Sequence, residues 1–255
     1  MFVVRSRGCQ QERFLNVDKW LNFAQSLCGS VCQLCGGDGL SPDICGGCLR
    51  DLPRARTVCP RCAASLPVAA LCGECQRRPP AFDSAFAAFR YAFPVDRLIQ
   101  RLKYEGRLEH GRMLGLLLGR AARRQPPPDA LIPVPLHVTR WRERGFNQAL
   151  EIARPVARMT GVRLDTGSCR RSRPTPPLWS LEPASRRRLL SGVFTVTGEV
   201  TGLHLALVDD VLTSGATAGA LAAELKRAGA ARVDVWTVAR SQGRPGPRSQ
   251  APASA

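Results

Sequence analysis

Acidic residues are scarce in this chain. Its 255 residues carry 20 Asp and Glu against 37 Lys and Arg, a formal net charge of +17. That imbalance implies affinity for polyanions: nucleic acid, phosphates or an acidic membrane surface. Long apolar runs are missing too. No stretch approaches the roughly 20 residues needed to cross a bilayer, so no membrane span is expected. Met1 to Gln11 shows neither an apolar core of signal-peptide length nor a small-residue cleavage site, and the expected location is cytoplasmic. Histidine is rare. His110, His137 and His204 are the only three, none has a triad-like neighbour in sequence, and no general base stands out. Cysteine is almost confined to one end: ten of eleven precede residue 76, and only Cys169 follows.

Eight of those cysteines form four Cys-x-x-Cys pairs: Cys32/Cys35, Cys45/Cys48, Cys59/Cys62 and Cys72/Cys75. Each pair is a knuckle whose two thiolates can face one tetrahedral metal, and the spacing favours zinc ribbons over an iron–sulfur cluster. Gly36, Gly37, Gly46, Gly47 and Gly73 permit the tight turns around a metal. A disulfide framework would need a secreted context, for which nothing in the sequence speaks. The simplest ligand assignment is Cys32, Cys35, Cys45 and Cys48 on one Zn²⁺ and Cys59, Cys62, Cys72 and Cys75 on another. Interleaved ligation and a single filled site stay open. Cys9, Cys28 and Cys169 read as bystanders, with Cys28 near enough to Cys32 to compete. Two Zn²⁺ held by eight thiolates would lower the net charge by four and leave the chain basic.

Composition divides the chain into four parts. Residues 1–27 are an N-terminal arm, poorly patterned to residue 15 (disordered, or a mis-assigned start), with a short helix at Asp18 to Leu27. Residues 28–80 form the double zinc-ribbon module, poor in large apolar side chains and so dependent on metal for stability. Arg77-Arg78-Pro79-Pro80 closes it as a hinge. Residues 81–240 alternate strands and helices, which implies a mostly parallel α/β sheet flanked by helices. Its expected strands are Ala85–Phe93, Leu131–Pro135, Val162–Leu164, Val193–Val196, Leu205–Val208 and Val233–Val238. Its expected helices are Pro94–Tyr104, Leu108–Arg123, Phe146–Met159, kinked near Pro155, and Ala218–Ala228. Residues 241–255, rich in Pro, Ser, Gly and Ala, read as a disordered tail.

The most informative stretch is His204-Leu-Ala-Leu-Val-Asp-Asp-Val-Leu-Thr-Ser-Gly-Ala-Thr217. An apolar strand carries Asp209 and Asp210 to its C-terminal end, where open α/β sheets bind ligands. Thr213, Ser214, Gly215, Ala216 and Thr217 make a loop small enough for backbone N–H groups to close on a phosphate, beside a helix N-terminus. Two acids next to an anion site suit a sugar phosphate. A second constellation, Arg140-Trp-Arg-Glu-Arg144-Gly-Phe-Asn-Gln-Ala, follows Pro133-Val-Pro135. If it is helical, Arg140 and Arg144 share a face and Arg142 points away. Their guanidinium forks suit a diphosphate.

The acid–loop stretch closely resembles the signature of type I phosphoribosyltransferases, which bind 5-phosphoribosyl-1-diphosphate (PRPP). The arginine segment, Leu98 to Gly106 and the cysteine module together resemble the ComF-type proteins, a family of zinc-ribbon plus phosphoribosyltransferase-like chains named for bacterial competence for DNA uptake. The resemblance implies a type I phosphoribosyltransferase-like sheet behind a double zinc ribbon. It assigns the ribose hydroxyls to Asp209 and Asp210 and the 5′-phosphate to Thr213–Thr217. Mg²⁺ would accompany PRPP, and Arg140 and Arg144 would receive the diphosphate. A flexible loop over the site would contribute Arg173, Thr175, Arg186, Arg187 and Arg188. Leu178 and Leu189 stand where the family carries Gln and Asn, which puts the catalytic competence of that loop in question.

Three functions are consistent with these features. One is a phosphoribosyltransferase of unknown acceptor, working by charge neutralisation around an oxocarbenium-like state, with His137 near the diphosphate region. Another is a competence factor that binds single-stranded DNA and keeps the PRPP pocket for regulation, with Trp179 stacking on bases between arginine clusters. The third is a scaffold whose ribbons recruit a protein partner.

Overall fold

Two segments, His204–Leu212 and Arg232–Arg240, bury nearly every side chain between their first and last residues. Strands covered on both faces read as continuous apolar runs, and these two form the centre of a parallel sheet. The fold comes from a computed structural model that describes residues 31–39, 43–174, 189–190 and 192–242. The chain divides into two compact units, with the boundary between Gly46 and Gly47.

In chain order the elements are α1 (Gly46–Arg50), α2 (Gly73–Arg77), β1 (Ser84–Arg90), α3 (Val95–Glu105), α4 (Leu108–Ala122) and β2 (Ala130–Pro133). Then come α5 (Val138–Arg144), α6 (Gln148–Thr160), β3 (Arg163–Leu164), β4 (Cys169–Arg171), β5 (Phe194–Val196), β6 (His204–Leu212), α7 (Ala216–Arg227) and β7 (Arg232–Arg240). Five strands form one sheet in the order β1-β7-β6-β2-β3, and every pair in it is parallel. The mostly parallel sheet flanked by helices and preceded by a cysteine-rich segment is therefore as the sequence indicates.

Glycine governs one helix packing. α4 and α6 meet along Gly111, Gly115 and Gly119. A Cβ on Gly115 would fall 2.3 Å from Pro155 Cγ and 2.5 Å from the Ile152 carbonyl oxygen. Three glycines in a helix cost about 1 kcal/mol each in propensity, and this seam is what they permit. α6 runs continuously through Pro155.

Several expectations shift. Val193–Val196 was expected among the sheet strands. Its ordered part, β5, instead pairs antiparallel with β4 in a separate two-stranded sheet, Cys169 opposite Val196. β4 itself is short and charged and gives no strand signal in sequence. Strand β6 does not stop before the acids but includes them. α7 begins at Ala216 rather than Ala218, after Gly215 at φ +75°. The expected helix at 18–27 lies outside the described residues, as do residues 243–255 of the tail.

Candidate functional site

The sheet order creates a crevice. From β2 the chain crosses through α6 to β3 at one edge, whereas β6 continues through α7 to β7 on the other side. The strand order therefore reverses between β2 and β6, the position where ligands bind at the carboxyl ends of open α/β sheets. β2 ends at Pro133, opposite Val208, and a last bond from the Val134 N–H to the Val208 carbonyl at 2.9 Å closes its pairing with β6. β6 runs on, paired to β7 as far as Leu212 opposite Arg240. Asp209 and Asp210 occupy that overhang.

The two acids have different surroundings. Asp210 is 3% exposed. It is ion-paired with Lys103 Nζ from the C-terminal end of α3 and accepts from Gln148 Nε2 at 3.4 Å. Gln148 in turn accepts from Arg144, so one chain of contacts runs from α5 through α6 to β6. Asp209 Oδ1 accepts from the Asp210 backbone N–H at 2.9 Å. Burial and the adjacent Asp210 carboxylate push the Asp209 pKa well above its ordinary value. Burial opposes ionisation of Asp210 as well, but Lys103 outweighs it and holds that carboxyl below the usual range. Burial works against the Lys103 charge, and Asp210 overcomes it and raises its pKa. Opposite shifts on neighbouring buried carboxyls make the pair a candidate functional site. Arg171, from β4, joins them: burial and the Arg140 charge lower its pKa, and Asp209 opposes the shift.

The loop after β6 leaves Thr213 and Ser214 exposed. Ala216 and Thr217 stand in the first turn of α7, so their N–H groups are among those a helix start leaves without intrahelical partners. The Ala216 N–H donates to Ser214 Oγ at 3.4 Å. A twelve-residue helix behind this loop supplies the dipole that favours an anion.

Arg140 and Arg144 both lie on helical α5, as the spacing required. They line a cavity of about 240 Å³ with Lys103, Tyr104, Glu143 and Phe146. Arg144 stacks over the Tyr104 ring at 5.9 Å, and Arg140 lies 3.9 Å from Glu143. His137 is the N-cap of that helix. Its Nδ1 accepts from the Thr139 N–H at 3.3 Å. His204 is hydrogen-bonded to Asp234 at 2.8 Å, at the opposite end of the sheet. Arg173 is described, with a terminal nitrogen 3.2 Å from where a Gly192 Cβ would stand. Thr175, Leu178, Trp179, Arg186, Arg187 and Arg188 lie outside the described residues.

The structure thus brings the two acids, the 213–217 loop and the two arginines to one end of the sheet. Sequence reasoning missed Lys103, Gln148 and Arg171. The first two sit in stretches already singled out for their resemblance, Leu98–Gly106 and Arg144–Ala149. Their link to Asp210 is a long-range contact that no local pattern carries.

The cysteines gather in two groups. The sulfurs of Cys32, Cys35, Cys45 and Cys48 lie within 4.8 Å of one another, as do those of Cys59, Cys62, Cys72 and Cys75. Cys35 and Cys45 are 3.8 Å apart, and Cys62 and Cys72 are 3.6 Å apart. A Zn–S bond of about 2.3 Å gives a tetrahedral edge of about 3.8 Å, so the donor sets fit zinc; a disulfide would need about 2.05 Å. No disulfide joins any of the eight, and the grouping matches the simplest of the expected ligand assignments. The two knuckles repeat the same bonds: Cys32 N–H to the Gly37 carbonyl and Cys59 N–H to the Ala64 carbonyl, each 2.8 Å. Burial would raise the Cys32 and Cys59 thiols, but backbone N–H groups outweigh it and hold them near 6 and 7. Cys169 is buried and belongs to neither group, and burial pushes its thiol up to about 12.

Among the described residues, no helix is long and apolar enough to cross a membrane.

No protein-family model matches the chain. It is 34% identical over 209 residues to the DNA utilization protein YhgH of Salmonella typhi, an alignment covering 78% of this chain and 90% of that protein. It is 31% identical to competence protein F of Haemophilus influenzae, with the same coverage. To competence protein ComFC of Bacillus subtilis it is 27% identical over 79% of this chain and 87% of that one. Among solved structures, the glutamine PRPP amidotransferase of B. subtilis aligns with 50% of this chain at 19% identity and a TM-score of 0.36. The chain spans about a quarter of that enzyme's length, the coverage being 26%. The purine phosphoribosyltransferase of Pyrococcus horikoshii aligns at 16% identity and a TM-score of 0.34, over 51% of this chain and 73% of that one.

Proposed function

The chain belongs to the ComF family of competence and DNA utilization proteins, and from that premise we propose that its crevice binds PRPP with Mg²⁺ in support of DNA uptake. The observation that carries the reading is the overhang of β6. It puts a charged and a protonation-prone carboxyl side by side in front of an anion-suited loop and helix start. Asp209 and Asp210 take the ribose hydroxyls. Thr213, Ser214, Gly215, Ala216 and Thr217 take the 5′-phosphate. Arg140 and Arg144 take the diphosphate, and the family resemblance adds Arg173, Thr175, Arg186, Arg187 and Arg188 to the ligand-binding set. Mg²⁺, held through Asp209 and Asp210, would neutralise diphosphate charge. Lys103 keeps Asp210 ionised, Gln148 orients it, and Arg171 screens Asp209. The reaction class is pentosyl transfer, in which charge stabilisation rather than a nucleophilic side chain drives diphosphate departure.

The zinc sites are structural. We place the protein in the cytoplasm, where free thiolates persist for metal binding, with the 28–80 segment as the ribbon module and 81–240 as the PRPP-binding part. Calorimetry with PRPP and Mg²⁺ tests the reading. Asp209→Asn with Asp210→Asn should weaken binding by about 1.5–3 kcal/mol per lost charged acceptor. Equal affinity would show that the acids are structural.

A second reading follows from the net charge of +17 and the names of the relatives. Here the basic surface binds single-stranded DNA and PRPP acts as a regulator. Its mark would be a DNA affinity that falls with salt at a log–log slope of about −0.7 per neutralised phosphate. Loss of DNA binding on changing Arg186, Arg187 and Arg188 to Ala, with pentosyl transfer absent, would favour it.

A further inference from the structure

Arg240 closes β7. Its backbone is fixed on both sides, by Arg90 of β1 and Leu212 of β6. Its guanidinium is directed at main-chain carbonyls. Nε donates to the Cys62 carbonyl at 2.8 Å. Nη1 donates to the Leu212 carbonyl at 2.9 Å and also to those of Thr213 and Ser241. Among the described residues it forms no ion pair. Cys62 is one of four thiols suited to the second zinc, and Thr213 opens the anion loop. One rigid planar fork therefore braces the metal knuckle against that loop.

An apolar path runs beside the polar one. Ala63, next to Cys62, is 2% exposed and shares a core with Phe82 and Leu212. The Phe82 ring lies 3.5 Å from where a Gly215 Cβ would stand. The loop thus rests on the Cys59–Cys75 knuckle through Arg240 on one side and through Ala63 and Phe82 on the other.

We propose that Arg240 is a positioning residue that makes anion binding at Thr213–Thr217 depend on the metal-bound shape of the Cys59, Cys62, Cys72 and Cys75 cluster. The inference rests on the PRPP-binding reading. Four thiolates without a metal repel one another, and the knuckle loses its fixed shape. The Cys62 carbonyl then no longer anchors Arg240, and the Thr213 carbonyl loses its clamp. Linkage makes the effect reciprocal: a ligand that favours the braced loop must also favour retained zinc.

The test uses the full zinc-loaded chain, PRPP with Mg²⁺ as the probe, and two readouts: affinity by calorimetry, and zinc release to a colorimetric chelator. The release phase of the second cluster is the one missing from Cys72→Ser. In the unsubstituted protein PRPP should slow that phase. Arg240→Gln should keep its zinc, bind PRPP at least about tenfold more weakly, equivalent to about 1.4 kcal/mol, and release zinc at a rate indifferent to PRPP. If Arg240→Gln does not fold, Arg240→Lys keeps the charge but lacks the fork, and the same loss of coupling is expected. Tight PRPP binding with unchanged coupling in either folded variant overturns the role of Arg240. PRPP binding by the unsubstituted protein with no effect on zinc release overturns the inference and leaves the functional reading intact. Failure of the unsubstituted protein to bind PRPP overturns both.

Discussion

The five-stranded sheet buries one aspartate near each end, and the two are equipped differently. Asp234, 2% exposed, sits near the N-terminal end. It accepts from Ser84 Oγ and pairs with His204, both at 2.8 Å, and takes Arg232 Nε at 3.0 and 3.1 Å. Ser84, His204 and Arg232 are the first residues of β1, β6 and β7, so this carboxylate pins three strand starts together. Asp210, near the C-terminal end, is buried to the same degree. It has one cation and one amide, and a second carboxyl beside it that burial drives toward protonation. One end spends its polar groups on each other. The other keeps a charge conflict that a ligand could relieve, the usual mark of a functional site.

Removing the saturated acid should produce the largest effect. Asp234→Ala removes the acceptor shared by Ser84, His204 and Arg232 and should cost about 3 kcal/mol of stability. Urea unfolding measures this, while PRPP affinity of the folded fraction should not move. Asp209→Asn should do the reverse. Because burial and Asp210 raise its pKa in the fold, its charge opposes folding near neutral pH. The substitution should leave stability unchanged or higher, while PRPP affinity falls by about 1.5–3 kcal/mol. A joint fall in both quantities would erase the contrast between the two ends.

A control away from both ends is Gly115→Ala. The new Cβ meets Pro155 and the Ile152 carbonyl, and overpacking of this kind costs about 1–3 kcal/mol. Thermal unfolding should report it, with affinity intact. The smallest effect concerns pH. His110 is 3% exposed and its Nδ1 has no partner among the described residues. Burial lowers its pKa from 6.5. The neutral ring is favoured in the fold, so stability should fall as pH drops below about 6.5, by at most about 1.4 kcal/mol per unit. His110→Leu should flatten that part of the stability–pH curve. An unchanged curve would assign the acid sensitivity to other groups.

How much of this was legible in sequence depends on the range of the interaction that creates each feature. The strand of β6, the acids and the 213–217 loop are contiguous, and local chemistry announces them. The knuckles were legible because two thiols three residues apart already form half a metal site. Lys103 and Gln148 gain meaning only when α3 and α6 reach β6. β4 is three residues of Cys-Arg-Arg, held by pairing with a distant segment rather than by its own pattern. The end of β6 was misread because charged side chains usually signal a strand's exit. Here they stay in the strand because β7 pairs with Asp209, Val211 and Leu212 on either side of Asp210, whose N–H is taken by Asp209 Oδ1. Gly215 hid the start of α7, since it enters the helix with a left-handed backbone and no side-chain cap.

That overhang carries a thermodynamic consequence. Asp209 and Asp210 are held by β6, whose main chain is already fixed, and Lys103 and Gln148 hold the Asp210 carboxylate before any ligand arrives. Fixing a residue's backbone costs about 1–2 kcal/mol, so the sugar half of the crevice owes little of that cost on binding. The exposed side chains of Thr213 and Ser214 still lose rotamer freedom when a phosphate binds. A bare ribose should therefore bind with a small entropic penalty and a ribose phosphate with a larger one, a difference that calorimetry at two temperatures would resolve.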